Sequence, residues 1–189
     1  TSEMQYEQIT QNSRYLFQQD EDYYNMMEDY WKACNLAISS NSNSFGIDFS
    51  GFWLFREDKS EVGYWGSSSL PYKLNIIQDD TIIIVYKTII PEYIDNQIDT
   101  LQLSLDGREF KSEMWNAPMV TTANWSPTKD TLNIKSIVTF NLDNRQEQSI
   151  TEEKWYLEEN THWLFIEQHS KSMWGERMVR MVFERMLTE

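Results

Sequence analysis

The sequence predicts a mainly β protein: an antiparallel up-and-down β-barrel of eight to ten strands, with an N-terminal α-helical segment packed on or over it. After residue 45, short β-branched and aromatic runs are separated by turn residues at intervals of roughly 8–12 residues, a spacing typical of barrels and sandwiches. Before residue 45, apolar residues recur at three- and four-residue spacings instead. A meander of many strands removes its exposed edges by closing on itself, which favours a barrel over an open sheet.

The first part of the chain predicts a helical arm and a linker. Its apolar helix face is formed by Tyr23, Met26, Met27, Tyr30, Trp31, Cys34 and Ile38. Three acidic residues at 20–22 precede this face, where carboxylates oppose the positive end of the helix dipole. Residues 39–44 are all Ser or Asn and bury nothing, so they predict a linker. The expected organisation is therefore an arm with its linker over 1–44 and a barrel domain over 45–189.

The barrel domain contains ten candidate strands. They cover residues 49–57, 72–78, 81–90, 99–105, 108–114, 120–126, 131–142, 145–157, 162–170 and 176–186. Alternation is clearest over 131–142, where Leu132, Ile134 and Val138 share one face. Asp106-Gly107 predicts a two-residue type I′ turn, and hence a hairpin. Weak turn signals near 91–93 and 116–118 leave the choice between eight and ten strands open.

The strand over 81–90 is apolar on both faces. Ile83 and Val85 alternate with Ile82, Ile84 and Tyr86. A strand of this kind needs a cover on its outer surface, and the amphipathic helix is the candidate for that cover.

The charge balance excludes several classes of partner. Thirty acidic and 16 basic side chains give a net charge of −14, which repels phosphate backbones and anionic headgroups. Neither nucleic acid binding nor membrane insertion is expected, since no apolar run approaches the roughly 20 residues that span a bilayer. The first residues have no signal-peptide pattern. A soluble protein is expected; its compartment stays open, and export with the leader already removed is one alternative.

The sequence contains no motif for a cofactor or a metal. Cys34 is the single cysteine, so neither an internal disulfide nor a cysteine zinc cluster is expected. His162 and His169 are the two histidines, and their odd separation places them on opposite faces of a strand. Phosphate-binding glycine loops and hydrolase or zinc-protease motifs are absent from the sequence. No cofactor, no metal site and no catalytic residue is predicted.

The barrel domain carries a resemblance to a known family. The matching segments are Phe49-Ser50-Gly51-Phe52-Trp53 with its Gly-x-Trp pattern, Asp58-Lys59-Ser60, residues 70–78, Asn124-Trp125-Ser126 and Glu153-Lys154-Trp155. Over residues 45–189 the chain resembles lipocalin-like, calycin-type barrels, above all small bacterial lipocalin-like proteins. The resemblance implies that Trp53 and Arg185 form a barrel-closing pair, with Arg180 as an alternative to Arg185. It also implies a small, mostly apolar ligand inside the barrel, although the disulfide of typical secreted lipocalins has no counterpart here.

Seven residues are candidates for contact with that ligand. They are Tyr86, Trp125, Phe140, Trp155, Phe165, Glu167 and Arg180. Glu167 shares a strand face with His169, and both would be polar groups in an apolar cavity if that face pointed inward. Arg180 is placed to hold a ligand carboxylate, the alternative being an ion pair with Glu176 or Glu184.

Two tryptophans close to predicted turns are candidates for the mouth of a cavity. They are Trp115 and Trp174. Most of the other tryptophans are expected to pack the core, because large aromatic side chains fill the interior of a wide barrel.

Three functions remain open on the sequence alone. The first is a non-catalytic carrier barrel for a small apolar or amphipathic ligand. The second is a protein-interaction module with a filled barrel, whose acidic helix docks a partner or a second copy of the chain. The third is an enzyme that uses a cavity base such as Glu167 or His169.

Overall fold

The computed structural model describes residues 46–90, 97–142, 145–158 and 162–186. The chain divides into two units, Thr1–Asn43 and Ser44–Glu189. The second unit contains ten strands and one short 3₁₀ helix, Glu57–Lys59. The strands are β1 (Gly51–Phe55), β2 (Lys73–Gln78), β3 (Ile82–Ile89), β4 (Gln97–Ser104), β5 (Phe110–Met114), β6 (Ala117–Trp125), β7 (Leu132–Leu142), β8 (Arg145–Leu157), β9 (Trp163–Ser172) and β10 (Gly175–Arg185).

The predicted strands are confirmed, and ten is the correct number. Every observed boundary lies within three residues of the predicted one. The largest difference is the start of β6, where Ala117 and Pro118 belong to the strand rather than to a turn. The turn before it is formed by Trp115 and Asn116, whose φ angles are 52° and 62°. The predicted helix and its contact with the barrel lie outside the described residues.

The ten strands form one antiparallel sheet that curls into a nearly closed barrel. Their order is β4-β3-β2-β1-β10-β9-β8-β7-β6-β5, so consecutive strands pair and β1 joins β10. The two edge strands are β4 and β5, which contact each other without forming a hydrogen-bonded ladder. The up-and-down barrel predicted from the sequence is thus confirmed, except that its closure is incomplete.

The hairpin predicted at Asp106-Gly107 is wrong, because this turn joins the two unpaired edges. The backbone amide of Leu105 donates to the carbonyl of Thr81, the residue before β3, at 2.8 Å. The Asp106 carboxylate accepts from Ser104 Oγ and from the Arg108 amide, at 2.7 and 3.1 Å. The turn therefore satisfies its polar groups with its own side chain, and no β4–β5 ladder is needed.

The hydrophobic core lies at one end of the barrel. The turns β2–β3, β4–β5, β6–β7 and β8–β9 lie at this end, which we call the closed end. Fully buried inner side chains lie next to these turns, and they include Ile83, Leu103, Leu132, Trp155 and Leu164. The links β1–β2, β3–β4, β5–β6, β7–β8 and β9–β10 lie at the opposite end, which we call the open end because inner side chains are partly exposed there.

Trp53 and the chain just before β1 seal the closed end. The indole Nε1 of Trp53 donates to the Phe49 carbonyl at 2.9 Å. The Phe49 ring stacks on Trp125 at 5.8 Å and meets the edge of Trp155 at 6.1 Å. These aromatic contacts place a well-packed plug across the barrel.

Arg185 lies on the Trp53 ring. The two residues are register partners on β10 and β1, and the guanidinium carbon is 4.3 Å from the ring centroid. Arg185 Nη1 donates to the Ser50 carbonyl at 2.9 Å, and burial lowers the pKa of its guanidinium. Gly51 has a φ of +133°, and a Cβ there would lie 3.3 Å from this same nitrogen. The Gly-x-Trp pattern thus leaves room for the arginine.

Candidate ligand-binding site

On several strands, the inner face changes from buried near the closed end to exposed near the open end. On β10, Phe183 and Met181 are buried, whereas Arg177 is partly exposed. On β4, Leu103 is buried and Asp99 is exposed. Because these residues share one face of their strand, the barrel interior is packed at the closed end and reached by solvent from the open end.

A row of hydroxyl groups crosses this interior. Thr121, Ser136, Thr151 and Ser170 occupy successive register positions on β6, β7, β8 and β9, and we call them the hydroxyl row. Thr121 Oγ1 and Ser136 Oγ are 3.0 Å apart, and Thr151 Oγ1 and Ser170 Oγ are 3.1 Å apart. The row therefore consists of two hydrogen-bonded pairs, each of which retains capacity for a further partner.

The hydroxyl row ends at a guanidinium. Arg177 of β10 is the register partner of Ser170. Its Nη1 donates to Ser69 Oγ at 3.0 Å, and its Nη2 donates to the Gly66 carbonyl at 2.8 Å. Its Nε is buried and has no hydrogen-bond partner within the described ranges. Arg177 thus fastens the β1–β2 link to the barrel and offers a cation beside the hydroxyls.

A carboxylate and an amide lie one register step below the hydroxyl row. Glu153 and Gln168 are partners on β8 and β9. Glu153 accepts from Trp155 Nε1 at 2.7 Å and from Gln168 Nε2 at 3.4 Å. The polar side chains of the interior thus extend from the hydroxyl row to Glu153 and Gln168, which lie next to the apolar plug. The interior is therefore apolar at its base and polar nearer its mouth.

The predicted contact residues are divided between the two faces of the barrel wall. Trp125, Phe140 and Trp155 lie on the inner face. Trp155 is fully buried in the plug, and Trp125 packs against it. Phe140 lies at the open end, 6.4 Å from the ring of Trp115 and 5.6 Å from that of Trp174. Both suspected mouth residues are therefore at the open end and close to an inner side chain.

The other four predicted contact residues lie on the outer face. Tyr86 alternates with the buried Val85, and Phe165, Glu167 and Arg180 alternate with buried inner residues of β9 and β10. The face shared by Glu167 and His169 therefore points outward, so the condition under which both would lie in an apolar cavity is not met. The reason is strand phase: Leu164 and Ile166 fill the core, and a strand cannot present adjacent residues to one face.

Two of these outer residues, Glu167 and Arg180, line a groove on the barrel wall. It has a volume of about 600 Å³ and includes Glu61, Glu152, Lys154, Glu167, His169, Met178 and Arg180. The Arg180 guanidinium lies 4.8 Å from the Phe165 ring centroid and 3.9 Å from Glu61 Oε1. The alternative prediction paired Arg180 with Glu176 or Glu184. In the structure Glu176 pairs with His169 and Glu184 with Arg56, so Arg180 has a different acidic neighbour, Glu61.

The polar residues of the interior were not predicted from the sequence. Ser136 falls between Ile134 and Val138 on an otherwise apolar face, and Thr151 and Glu153 precede Trp155 with the same period of two. Polar residues at core-facing positions were the available signal. Their alignment across neighbouring strands depends on the register, which the sequence does not show.

The described residues contain no group of three or more His, Cys, Asp or Glu side chains arranged to hold a metal ion. Within the same ranges no helix has the length and apolar character needed to cross a membrane.

Comparison with solved structures gives a structural likeness, whereas the sequence comparisons give none. No family model matches the chain, and no curated protein matches its sequence. Among solved structures, the zebrafish ileal bile acid-binding protein complexed with cholic acid is similar to it, with 10% sequence identity and a TM-score of 0.46. That match covers 73% of this chain and 98% of the other. A likeness this distant does not transfer a ligand.

Proposed function

We propose that this protein binds a small amphipathic molecule inside the barrel, which enters through the open end, and that it catalyses no reaction. The observation that carries the proposal is the hydroxyl row with Arg177: Ser136, Thr151, Ser170 and Arg177 are partly exposed on the inner face, and Thr121 is buried beside Ser136. A filled barrel would bury these polar groups, at a cost for each unpaired one. An open interior with an apolar base and a few convergent polar groups is typical of a ligand site.

The chemistry of the interior favours a ligand with an apolar body and an acceptor group. The body would pack towards Ile134, Ile166 and Met181 above the plug, where apolar area is removed from water. The acceptor, such as a carboxylate, would meet Arg177 and the nearby hydroxyls, because charge-assisted hydrogen bonds are the stronger ones. The two side chains that the catalytic alternative named as bases, Glu167 and His169, lie on the outer wall and not beside the hydroxyl row.

We also infer a calycin-type origin for the barrel. Gly51, Trp53 and Arg185 support it, because the glycine leaves room for the arginine that covers the indole. A kinship with small bacterial lipocalin-like proteins is part of the same proposal.

The test is binding of a fluorescent fatty acid, dansylated undecanoic acid, followed by emission. Ser170→Phe places a ring on the inner face, whereas Lys171→Phe places the same ring on the adjacent outer position. We expect Ser170→Phe to weaken binding about ten-fold or more, because the added ring competes for the same space, and Lys171→Phe to bind as the wild type does. Absence of binding to the wild type, or equal binding by both variants, would refute the proposal.

The polar end of the ligand is tested with Arg177→Gln. The dansylated acid is compared with the neutral probe N-phenyl-1-naphthylamine. We expect Arg177→Gln to weaken binding of the acid about ten-fold, as fits the loss of a hydrogen bond to a charged group, and to leave the neutral probe unaffected. An equal loss for both probes would mean that Arg177 only holds the β1–β2 link in place.

A further inference from the structure

Large apolar side chains project into solvent from the open end. Six of them, Tyr64, Trp65, Trp115, Leu142, Met173 and Trp174, form what we call the open-end ring, and all are exposed. They come from the β1–β2 link and from the turns β5–β6, β7–β8 and β9–β10. At the closed end, Met186 is the one large apolar side chain exposed within the described ranges. Exposed apolar area is thus concentrated around the mouth of the proposed site.

The backbone holds Trp115 outward at some conformational cost. Its φ of 52° lies in the left-handed region, which a bulky side chain rarely adopts. The side chain is nevertheless 77% exposed, so no burial in the core offsets this conformation. Phe140 lies between Trp115 and Trp174, with ring distances of 6.4 and 5.6 Å, and joins two turns into one aromatic patch. The φ angles of Trp115 and Asn116 are those that a two-residue type I′ hairpin turn requires, and this turn presents the Trp115 ring to solvent.

The charges beside the ring are mixed, unlike those of the chain as a whole. Lys73 follows Tyr72, Arg145 is the register partner of Leu142, and Lys171 lies close to Met173 in sequence. Glu147 and Glu176 lie beside them. The described turns of the closed end are mostly acidic, with Asp79, Asp80, Asp106 and Asp130 against Arg108 and Lys129. Glu113 and Asp99 are also exposed at the open end, so its described charges are mixed rather than mostly acidic, and this end can approach a neutral surface.

We propose that the open end docks on a zwitterionic lipid surface, with the open-end ring among the headgroups. Tryptophan and tyrosine suit that depth, because their rings are apolar and their N–H and O–H groups still reach polar partners. The ring side chains stand on separate turns around an opening, so they meet a deformable lipid layer more readily than one rigid protein face. The ring also surrounds the mouth of the proposed site, so a ligand could pass between lipid and barrel without crossing water.

The first test uses the full chain and vesicles of phosphatidylcholine. Flotation measures binding, and phosphatidylcholine with brominated acyl chains quenches tryptophans that reach the lipid. We expect the wild type to float and its emission to be quenched. Because the whole chain is acidic, adding phosphatidylglycerol is expected to weaken binding at low salt. No ligand is needed, so this result is independent of ligand binding inside the barrel.

The second test compares variants. Trp115→Ser combined with Trp174→Ser is expected to lower vesicle binding about ten-fold or more, in keeping with the loss of two large apolar contacts. Met186→Ser removes an exposed apolar side chain at the opposite end and is the matched control, expected to bind as the wild type does. Melting curves verify that each variant is folded.

Three outcomes would overturn the docking proposal. One is a wild type that does not float with phosphatidylcholine. Another is a double variant that binds vesicles as the wild type does. The third is a wild type that forms dimers in sedimentation experiments, which the double variant abolishes, without any binding to vesicles; the ring would then be a protein interface.

Discussion

Trp53 illustrates how much of the fold depends on single side chains. It is fully buried, donates a hydrogen bond to the Phe49 carbonyl and lies beneath Arg185. Its surroundings cannot collapse easily, because strands β1, β2 and β10 are held in register around it. Large side chains in such places contribute through both transfer from water and packing.

At this scale the first prediction is that Trp53→Ala destabilises the protein strongly. We expect the free energy of unfolding to fall by about 3–5 kcal/mol, measured by urea denaturation. Trp115→Ala is the control, and its exposed position predicts a change within about 0.5 kcal/mol. Similar effects of the two variants would contradict the assignment of Trp53 to the plug.

Asp130 gives a second prediction, on pH. Hydrogen bonds from Ser126, Thr128 and Thr131 lower the pKa of Asp130 below its ordinary value of 3.8. Between the folded-state pKa of Asp130 and its ordinary value of 3.8, the unfolded chain therefore binds more protons than the folded protein. The contribution of Asp130 to stability is thus fully present above pH 3.8 and is lost as the pH falls through the folded-state pKa. We expect Asp130→Asn to lose stability at neutral pH and to show a weaker acid dependence in urea midpoints. An unchanged acid dependence would contradict this role.

Among the elements, β4 and β5 differ from the other strands. Each has a ladder on one side alone, since the sheet ends at both of them. The exposed residues of β4, Gln97 to Thr100, lie at the open end of this seam. The seam is therefore the place where the barrel opens most easily.

The third prediction concerns the exchange of backbone amides. We expect the amides of β4 and β5 to exchange with deuterium faster than those of β8 and β9, which have partners on both sides. Mass spectrometry of peptic peptides measures this difference. Equal protection of the edge and central strands would indicate that the barrel is fully closed in solution.

On the scale of the whole molecule, the barrel contains its own core. The core cluster of the described residues extends from Phe49 to Phe183 and joins all strands except β5. The second unit, Ser44–Glu189, begins just before this cluster. The boundary predicted at 44 and 45 remains a prediction until the arm is removed.

The fourth prediction is that residues 44–189 fold without the arm. We expect this fragment to unfold cooperatively, with a melting temperature close to that of the full chain, because its described residues already form one hydrophobic cluster. Circular dichroism and calorimetry measure it. A fragment that aggregates or melts without a transition would place the arm within the folding unit.

Local sequence patterns predicted an antiparallel meander and the bounds of its candidate strands to within three residues, and they left the choice between eight and ten strands open. Period-two alternation and turn residues are local signals, and strands of five to thirteen residues carry enough of them. The resemblance to lipocalin-like barrels added the pairing of Trp53 with an arginine, and it left Arg180 and Arg185 as alternatives.

The tertiary structure decided which strand faces point inward and which residues meet. Glu167 and Arg180 were assigned to the interior from their neighbours in sequence, but core packing by Ile166 and Met181 turns them outward. The hydroxyl row and Arg177 come from five strands and align through register alone. The seam between β4 and β5 was not predicted, because Asp106-Gly107 between them has the pattern of a hairpin turn. Pairing between strands is a non-local property, set by the packing of the whole barrel, and no short stretch of sequence contains it.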